Sequence, residues 1–172
     1  RHLAVTGCLQ LFNRLSEECV DPEAASQRTE DPTLRRLLSL YRHYLARLVS
    51  DGASPATDLS LLQQHALRLV EKAELAPQVF RHVIVDEYQD TNHVQERLFF
   101  RLAAHHRNFC VVGDDDQALY RFRGATVENF VEFPARCRQH LACEPTAIPL
   151  TRNYRSRRGI VDFYGRFMAT CD

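Results

Sequence analysis

The sequence predicts an α/β fold: a parallel sheet with helices, preceded by an all-helical unit. Three observations carry this reading. His82-Val83-Ile84-Val85 and Phe109-Cys110-Val111-Val112 are short apolar runs of strand length. A segment of helical period lies between them, and strand–helix–strand order with such a crossover implies a parallel pair. Residues 1 to 80, by contrast, read as helices up to the first run. Apolar runs without alternation are expected to be buried on both faces, which places Cys110 inside a buried strand. The expected division is a helical unit over 1–76 and a sheet-bearing unit over 77–172.

The first helix carries Leu3, Val5, Leu9, Phe12 and Leu15 roughly on one face. Asp21-Pro22 and Asp31-Pro32 each read as a cap followed by proline in the first turn. After the second, Leu34, Leu37, Leu38, Tyr41, Leu45 and Leu48 recur at three- and four-residue spacing, with Arg35, Arg36, Arg42 and Arg47 largely off that stripe. Those arginines fit either a solvated face or contacts to a phosphate backbone. Asp51-Gly52-Ala53-Ser54-Pro55 is a break. Thr57 or Asp58 then caps a helix with Leu59, Leu62, Ala66, Leu69 and Val70 inward, and Pro77 follows its end. Beyond the first strand, Asn92 caps a helix with Val94, Leu98, Phe99 and Leu102 inward. Thr126 starts a short helix holding Val127, Phe130 and Val131, closed near Pro134. Ala147-Ile148-Pro149-Leu150 reads as a third strand, at an edge because of its proline. Ser156 caps a last helix with Ile160, Val161, Phe163, Tyr164 and Phe167.

With 172 residues, 45% of them hydrophobic, the chain suffices for one core or for one core plus a small appendage. Its 22 basic residues balance 22 acidic ones, so any nucleic-acid surface must be local. One basic residue is lysine, Lys72, and the other 21 are arginine. No apolar run approaches the roughly 20 residues of a membrane span, and no membrane partner is expected. Six cysteines form no C-x-x-C pair and match no metal-site spacing, so reduced thiols are expected. The chain begins with Arg1, and its one methionine is Met168, as expected of a piece of a longer protein.

Three segments carry chemistry. The first strand ends in Asp86-Glu87-Tyr88-Gln89-Asp90-Thr91-Asn92. In open α/β sheets ligands gather at the carboxyl ends of strands, and two adjacent acids there call for a cation, a proton or an arginine. A magnesium-bound nucleotide supplies the cation; a solvated turn is the plain alternative. The second strand ends in Gly113-Asp114-Asp115-Asp116-Gln117, where a neutral donor–acceptor follows three acids. It runs on into Ala118-Leu119-Tyr120-Arg121-Phe122-Arg123-Gly124-Ala125. Aromatics alternating with arginines suit single-strand binding, by stacking and phosphate contact, or a half-buried strand. The third, Thr151-Arg152-Asn153-Tyr154-Arg155-Ser156-Arg157-Arg158, offers a ring for a base and an arginine for a transferred phosphoryl group. Arg157 and Arg158 sit at a helix start, where the macrodipole disfavours cations unless an anion is near.

Together the three segments resemble the UvrD, Rep and PcrA group of superfamily-one DNA helicases. Asp86 through Asn92 looks like that family's Walker B motif. Val112 through Gln117 and on to Arg123-Gly124-Ala125 looks like the motif coupling nucleotide to DNA. Leu150 through Ser156 looks like its Asn-Tyr-Arg-Ser motif. The match anchors residues 82 to about 165; upstream it rests only on Asp58-Leu59-Ser60-Leu61-Leu62. The resemblance implies a partial P-loop NTPase, RecA-like parallel sheet behind an inserted-subdomain-like helical unit. It implies ATP and Mg2+, with Asp86 and Glu87 at the metal and Glu87 activating the hydrolytic water. Gln117 is then placed on the γ-phosphate or that water, Tyr154 on adenine and Arg155 on the γ-phosphate. Tyr120, Phe122 and Arg123 meet single-stranded DNA. The family commonly has tryptophan where Phe122 stands, so stacking there uses less area.

The resemblance further implies a parent ATP-dependent helicase acting on single strands and on single-strand/duplex junctions, moving 3′ to 5′, and cytoplasmic, with nucleoid association in a bacterium. Such a motor needs a G-x-x-x-x-G-K-[ST] loop, and Lys72 has no glycine neighbours. That loop is expected upstream of Arg1 and a second motor domain downstream, so the isolated chain is expected to be inactive. Two alternatives stand beside this. One is the motor part of a RecB- or AddA-like helicase–nuclease. The other is a non-catalytic relative that binds DNA, against which Glu87, Gln117 and Arg155 argue.

Overall fold

A computed structural model describes residues 2–50, 56–74, 76–114, 117 and 127–170. Five helices come first: α1 His2–Glu17, α2 Pro22–Arg28, α3 Pro32–Ser50, α4 Leu59–Lys72 and the short α5 Ala76–Val79. Then follow β1 Val83–Val85, a 3-10 turn Tyr88–Asp90, α6 His93–Ala103, β2 Phe109–Val111, α7 Val127–Val131, α8 Phe133–Leu141 and α9 Arg158–Met168. The fold is helix-rich α/β.

The caps of α2, α3 and α6 are those the sequence expects, and of the two candidates for α4 one is used. Asp21 accepts from Glu23 N and Ala24 N, and Asp31 from Thr33 N at 2.8 Å. Asp58 takes the α4 cap, accepting from Leu61 N at 2.7 Å. A capping box joins Asn92 and Gln95 at the start of α6. Each such cap stabilises its helix by about 1 kcal/mol.

Phe12, Leu38, Tyr41, Leu61 and Leu67 are the buried apolar residues of α1, α3 and α4. Polar groups join this packing in pairs. The hydroxyls of Ser16 and Tyr41 meet at 2.8 Å, Gln64 Nε2 donates to Ser16 O at 3.3 Å, and Ser60 Oγ donates to Glu17 Oε1 at 2.9 Å. Here two expected faces are corrected. On α1, Val5 and Leu9 are exposed. On α4, Leu59, Leu62 and Leu69 face out, while Ser60, Leu61, Gln64 and Leu67 are buried. Satisfied hydrogen bonds let serine and glutamine occupy the inner stripe, and they shift the helix away from its leucine-rich side. On α3, Arg35 Nε donates to Thr29 O and Arg42 pairs with Glu23 at 3.4 Å, so both arginines are engaged within the helical unit.

β1 and β2 are parallel, with Val83 opposite Phe109, Ile84 opposite Cys110 and Val85 opposite Val111. Val83, Val85, Phe109 and Val111 pack on a core of Tyr88, Phe100, Ala103, Phe133, Cys137 and Leu141. The aromatic rings meet mostly edge-on, Tyr88 with Phe133 at 5.3 Å and Phe100 with Phe109 at 5.1 Å. The expectation of burial on both faces does not hold, because Ile84 is 72% exposed and Cys110 is exposed. Strand side chains alternate between faces, and among the described residues α6 and α8 cover only one.

Further differences concern the second half. α8 is an additional helix: Pro134 opens it instead of ending α7, since proline is tolerated in a first turn. Phe133, Cys137 and Leu141, four residues apart, form its buried face. Ala147 to Leu150 form no strand, and Ile148 and Leu150 are exposed; Pro149 has no N–H to give a ladder. The cap position of α9 is Arg157, not Ser156, and α9 has no buried residue. On α6 the buried side chains are Val94, Glu96, Phe100 and Ala103, with Leu98, Phe99 and Leu102 half-buried.

Candidate functional site

The two strands keep their register past their ends. Val112 N donates to Val85 O at 2.8 Å, and Tyr88 N donates to Val112 O at 2.9 Å. Asp86 and Glu87 lie between these two tie points, exposed at the carboxyl edge of β1. Tyr88 then turns into the core, fully buried, and anchors the turn. Asp86 Oδ1 accepts from Glu87 N at 3.0 Å, which leaves Oδ2 for a cation. Glu87 has φ 51° and ψ 45°, the left-handed region, which costs a non-glycine residue about 1–3 kcal/mol. Its surroundings hold that conformation: Asp90 N donates to Glu87 O at 2.9 Å, and Thr91 Oγ1 to Tyr88 O at 2.7 Å.

Gln89 is 1% exposed and bridges the strand ends. Its Nε2 donates to Glu87 Oε2 at 2.7 Å, and its Oε1 accepts from Asp114 N at 3.2 Å. Gln117 is exposed beyond β2, with Nε2 donating to Asp114 Oδ2 at 2.7 Å and its backbone N donating to Asp114 O at 3.1 Å. Asp86, Glu87 and Gln117 are therefore brought to one edge, with Gln89 and Asp114 between them. Asp90 Oδ1 is buried there and, among the described residues, has no hydrogen-bond partner.

Gly113 makes this packing possible. A Cβ at that position would lie 2.7 Å from Gln89 Oε1 and 2.8 Å from Phe130 Cε2. Gly113→Ala is therefore expected to lower stability by about 1–3 kcal/mol. It should also displace Gln89, so the melting midpoint falls; an unchanged midpoint would contradict the close approach. Neither Gln89 nor Gly113 stood out in the sequence as a site residue. The available signal was a glutamine between acids in a turn that must bury its Tyr88.

Beneath the turn, Tyr88 OH donates to Glu96 Oε1 at 3.3 Å, and Arg136 Nη1 lies 3.5 Å from Glu96 Oε2. Burial pushes the Glu96 carboxyl up, opposed by Arg136 and Tyr88, and burial with the Glu96 charge pushes the Tyr88 phenol up. The phenol therefore stays a donor.

The third segment stands apart. Asn153 Oδ1 accepts from Arg155 N at 2.9 Å and Ser156 N at 2.8 Å, shaping a tight turn. Tyr154 is 83% exposed on it, with the Arg152 guanidinium 5.0 Å from its ring centroid. Among the described residues neither Tyr154 nor Arg155 reaches Asp86 or Glu87 through a hydrogen bond or ion pair. Arg158 is paired with Asp162 at 3.7 Å. Tyr120, Phe122 and Arg123, with Asp115 and Asp116, lie outside the described residues.

Among the described residues no three His, Cys, Asp or Glu side chains gather into a metal cage. The carboxylates at the β1 end suit a different mode, in which magnesium is held by one or two acids and completed by phosphates and water. Cys137 does not serve as a ready thiolate, since burial pushes its thiol up to about 11. Among the described residues no helix is long and apolar enough to cross a membrane.

The chain is 33% identical over 152 residues to the ATP-dependent DNA helicase PcrA of Staphylococcus epidermidis. It is 36% identical over 161 residues to the ATP-dependent DNA helicase UvrD1 of Mycobacterium tuberculosis. Against UvrD1 of Mycobacterium leprae the figure is 37% over 165 residues. These alignments take in 87–88% of this chain but 20% of each relative, so the chain spans about a fifth of the length of the curated relatives it matches. The family model described as the UvrD/REP helicase N-terminal domain matches residues 3–138. Residues 3–138 take in α1 to α6, both strands and the Asp86–Glu87 turn, and this chain belongs to the UvrD/REP helicase family.

Proposed function

We propose that this chain is the Walker B-bearing part of the first motor domain of an ATP-dependent DNA helicase. In this reading the motor moves 3′ to 5′ on single-stranded DNA and opens duplexes at single-strand junctions, in repair, replication or recombination. The helical unit over 1–76 then corresponds to an inserted subdomain, and 77–172 to part of a RecA-like, P-loop NTPase sheet. The observation that carries the reading is the adjacent pair Asp86 and Glu87 at the β1 end, tied through Gln89 and Asp114 to Gln117 beyond β2.

The work assigned to each residue follows from its chemistry. Glu87 takes the proton of the attacking water, and Asp86 would help hold a magnesium ion. Magnesium, when bound, neutralises charge on the β- and γ-phosphates. Gln117, a neutral donor and acceptor, reports on the γ-phosphate or the water without adding charge. Tyr154 offers its exposed ring to the adenine and Arg155 its guanidinium to the γ-phosphate. Both must be brought to the strand ends, so the 151–157 turn is assigned to a closed state. Tyr120, Phe122 and Arg123 are assigned to the DNA strand, where each stacked base is worth about 1–3 kcal/mol.

The 172 residues contain no G-x-x-x-x-G-K-[ST] run, so the isolated chain is assigned weak nucleotide affinity and negligible ATPase. Phosphate release should be measured with and without single-stranded DNA, for the isolated chain and for the full-length protein carrying it. Strand separation on 3′- and 5′-tailed duplexes completes the test. DNA-stimulated turnover and opening of the 3′-tailed duplex by the full-length protein alone are expected. Robust turnover by the isolated chain refutes its assigned inactivity, and a full-length protein that binds DNA without hydrolysing ATP refutes the motor.

A further inference from the structure

Gln89 is buried to 1% exposure, yet it belongs neither to the apolar core nor to the exposed acids. Its two polar atoms are assigned without ambiguity by their partners. Asp114 N–H can only donate, so the carboxamide atom facing it is the oxygen, 3.2 Å away. The NH2 is thereby forced toward Glu87, where Nε2 donates to Oε2 at 2.7 Å. An ordinary amide flip would place two donors together at Asp114 and two oxygens together at Glu87. The absent Cβ of Gly113 fixes the position further, because any side chain there would meet Gln89 Oε1 at 2.7 Å. The carboxamide end of both bonds is buried while Glu87 and Asp114 are exposed, so Gln89 is the fixed partner of the two.

We infer that Gln89 is a positioning residue for Glu87: its carboxamide, oriented by the β2 backbone, pins Oε2 and leaves Oε1 as the carboxylate atom that meets the reacting water. This rests on the reading of Glu87 as the general base. A carboxylate on an exposed strand end, carried by a residue in a left-handed conformation, otherwise has several rotamers available. Holding one oxygen selects the rotamer, and small misplacement of a reacting group is enough to lose most of the rate. The same carboxamide joins the two strand ends, so Glu87 is registered against β2 and not only against its own strand.

The test uses the full-length protein. Gln89→Met preserves length and volume but removes both hydrogen bonds. It is expected to lower kcat about 10- to 100-fold while KM for ATP changes less than about twofold. Phe130→Leu is the control: the Phe130 ring lies against Gly113, so the substitution loosens the same strand end while leaving both partners of the Gln89–Glu87 hydrogen bond in place. It should keep kcat within about twofold at a comparable loss of melting temperature. Unchanged kcat in Gln89→Met overturns the inference, and so does an equal loss of kcat in both variants. If Gln89→Met does not fold, Gln89→Asn replaces it; one methylene too short to span both partners, it carries the same expected and overturning results. Glu87→Gln separates the two levels. Wild-type turnover in Glu87→Gln defeats the base assignment and the inference together. Loss of turnover in Glu87→Gln beside wild-type kcat in Gln89→Met or Gln89→Asn defeats the inference alone.

Discussion

Glu87→Gln in the full-length protein is expected to lower kcat for ATP hydrolysis by about 10²–10⁴-fold while ATP binding changes by less than about twofold. Gln has the shape of Glu, so the substitution keeps the side-chain volume at the strand end. Its amide oxygen can still accept from Gln89 Nε2, and the left-handed backbone at 87 is no less favourable for Gln than for Glu. What disappears is an atom able to take a proton. Single-turnover phosphate release and equilibrium binding of ATP check the two halves separately. A variant that hydrolyses at the parental rate removes Glu87 from the mechanism; one that no longer binds ATP makes Glu87 a binding residue instead.

The second large effect is on stability. Arg136→Met leaves Glu96, 1% exposed, with the Tyr88 hydroxyl donating to it at 3.3 Å. Breaking a buried pair from one side costs about 3–5 kcal/mol, and the lower end applies because the Arg136 side chain is 25% exposed. The effect carries a pH signature. Burial already holds the Glu96 pKa above its ordinary value of 4.5, so folding takes up a proton there. Stability from this group is therefore greatest below about 4.5 and falls as pH rises through the folded value. Removing Arg136 takes away the main opposing influence and moves the folded value higher still. Urea midpoints at pH 5 and pH 8 should thus differ more in Arg136→Met than in the parent protein. Equal differences in the two proteins mean the pair is not coupled, and Glu96→Gln should reduce the pH dependence in both.

Order and type of elements were legible where local chemistry decides them. Asp21, Asp31 and Asn92 are caps whose side chains reach nearby backbone N–H groups, and sequence alone names them; for α4 it narrows the cap to Thr57 or Asp58, and the structure has Asp58. The acids at the β1 end were legible for a similar reason, since a short apolar run must end and its next residues must be polar. Choices among tertiary alternatives were not legible. α4 has two apolar sides, and the buried one is selected by Ser60 and Gln64 finding Glu17 and Ser16 on α1. Pro134 could end one helix or open another, and Phe133, Cys137 and Leu141 settle it only once a core exists to receive them. Gln89 was visible as a letter in a motif, but its role depends on Asp114, 25 positions away, being one strand over.

α6 has a mechanical consequence. It is 11 residues long, about 16 Å at 1.5 Å per residue, and begins four residues after Gln89. One side of it enters the sheet core through Phe100 and Ala103. The other is riveted to α4 by Asn92 Nδ2 on Gln63 Oε1 at 3.1 Å, by Arg97 on Glu71, and by Arg101 Nε on Val70 O at 3.4 Å. These fastenings run from its first turn to its last, so α6 and α4 form a beam with no joint between them. A tilt of α6 is therefore expected to carry α4 with it.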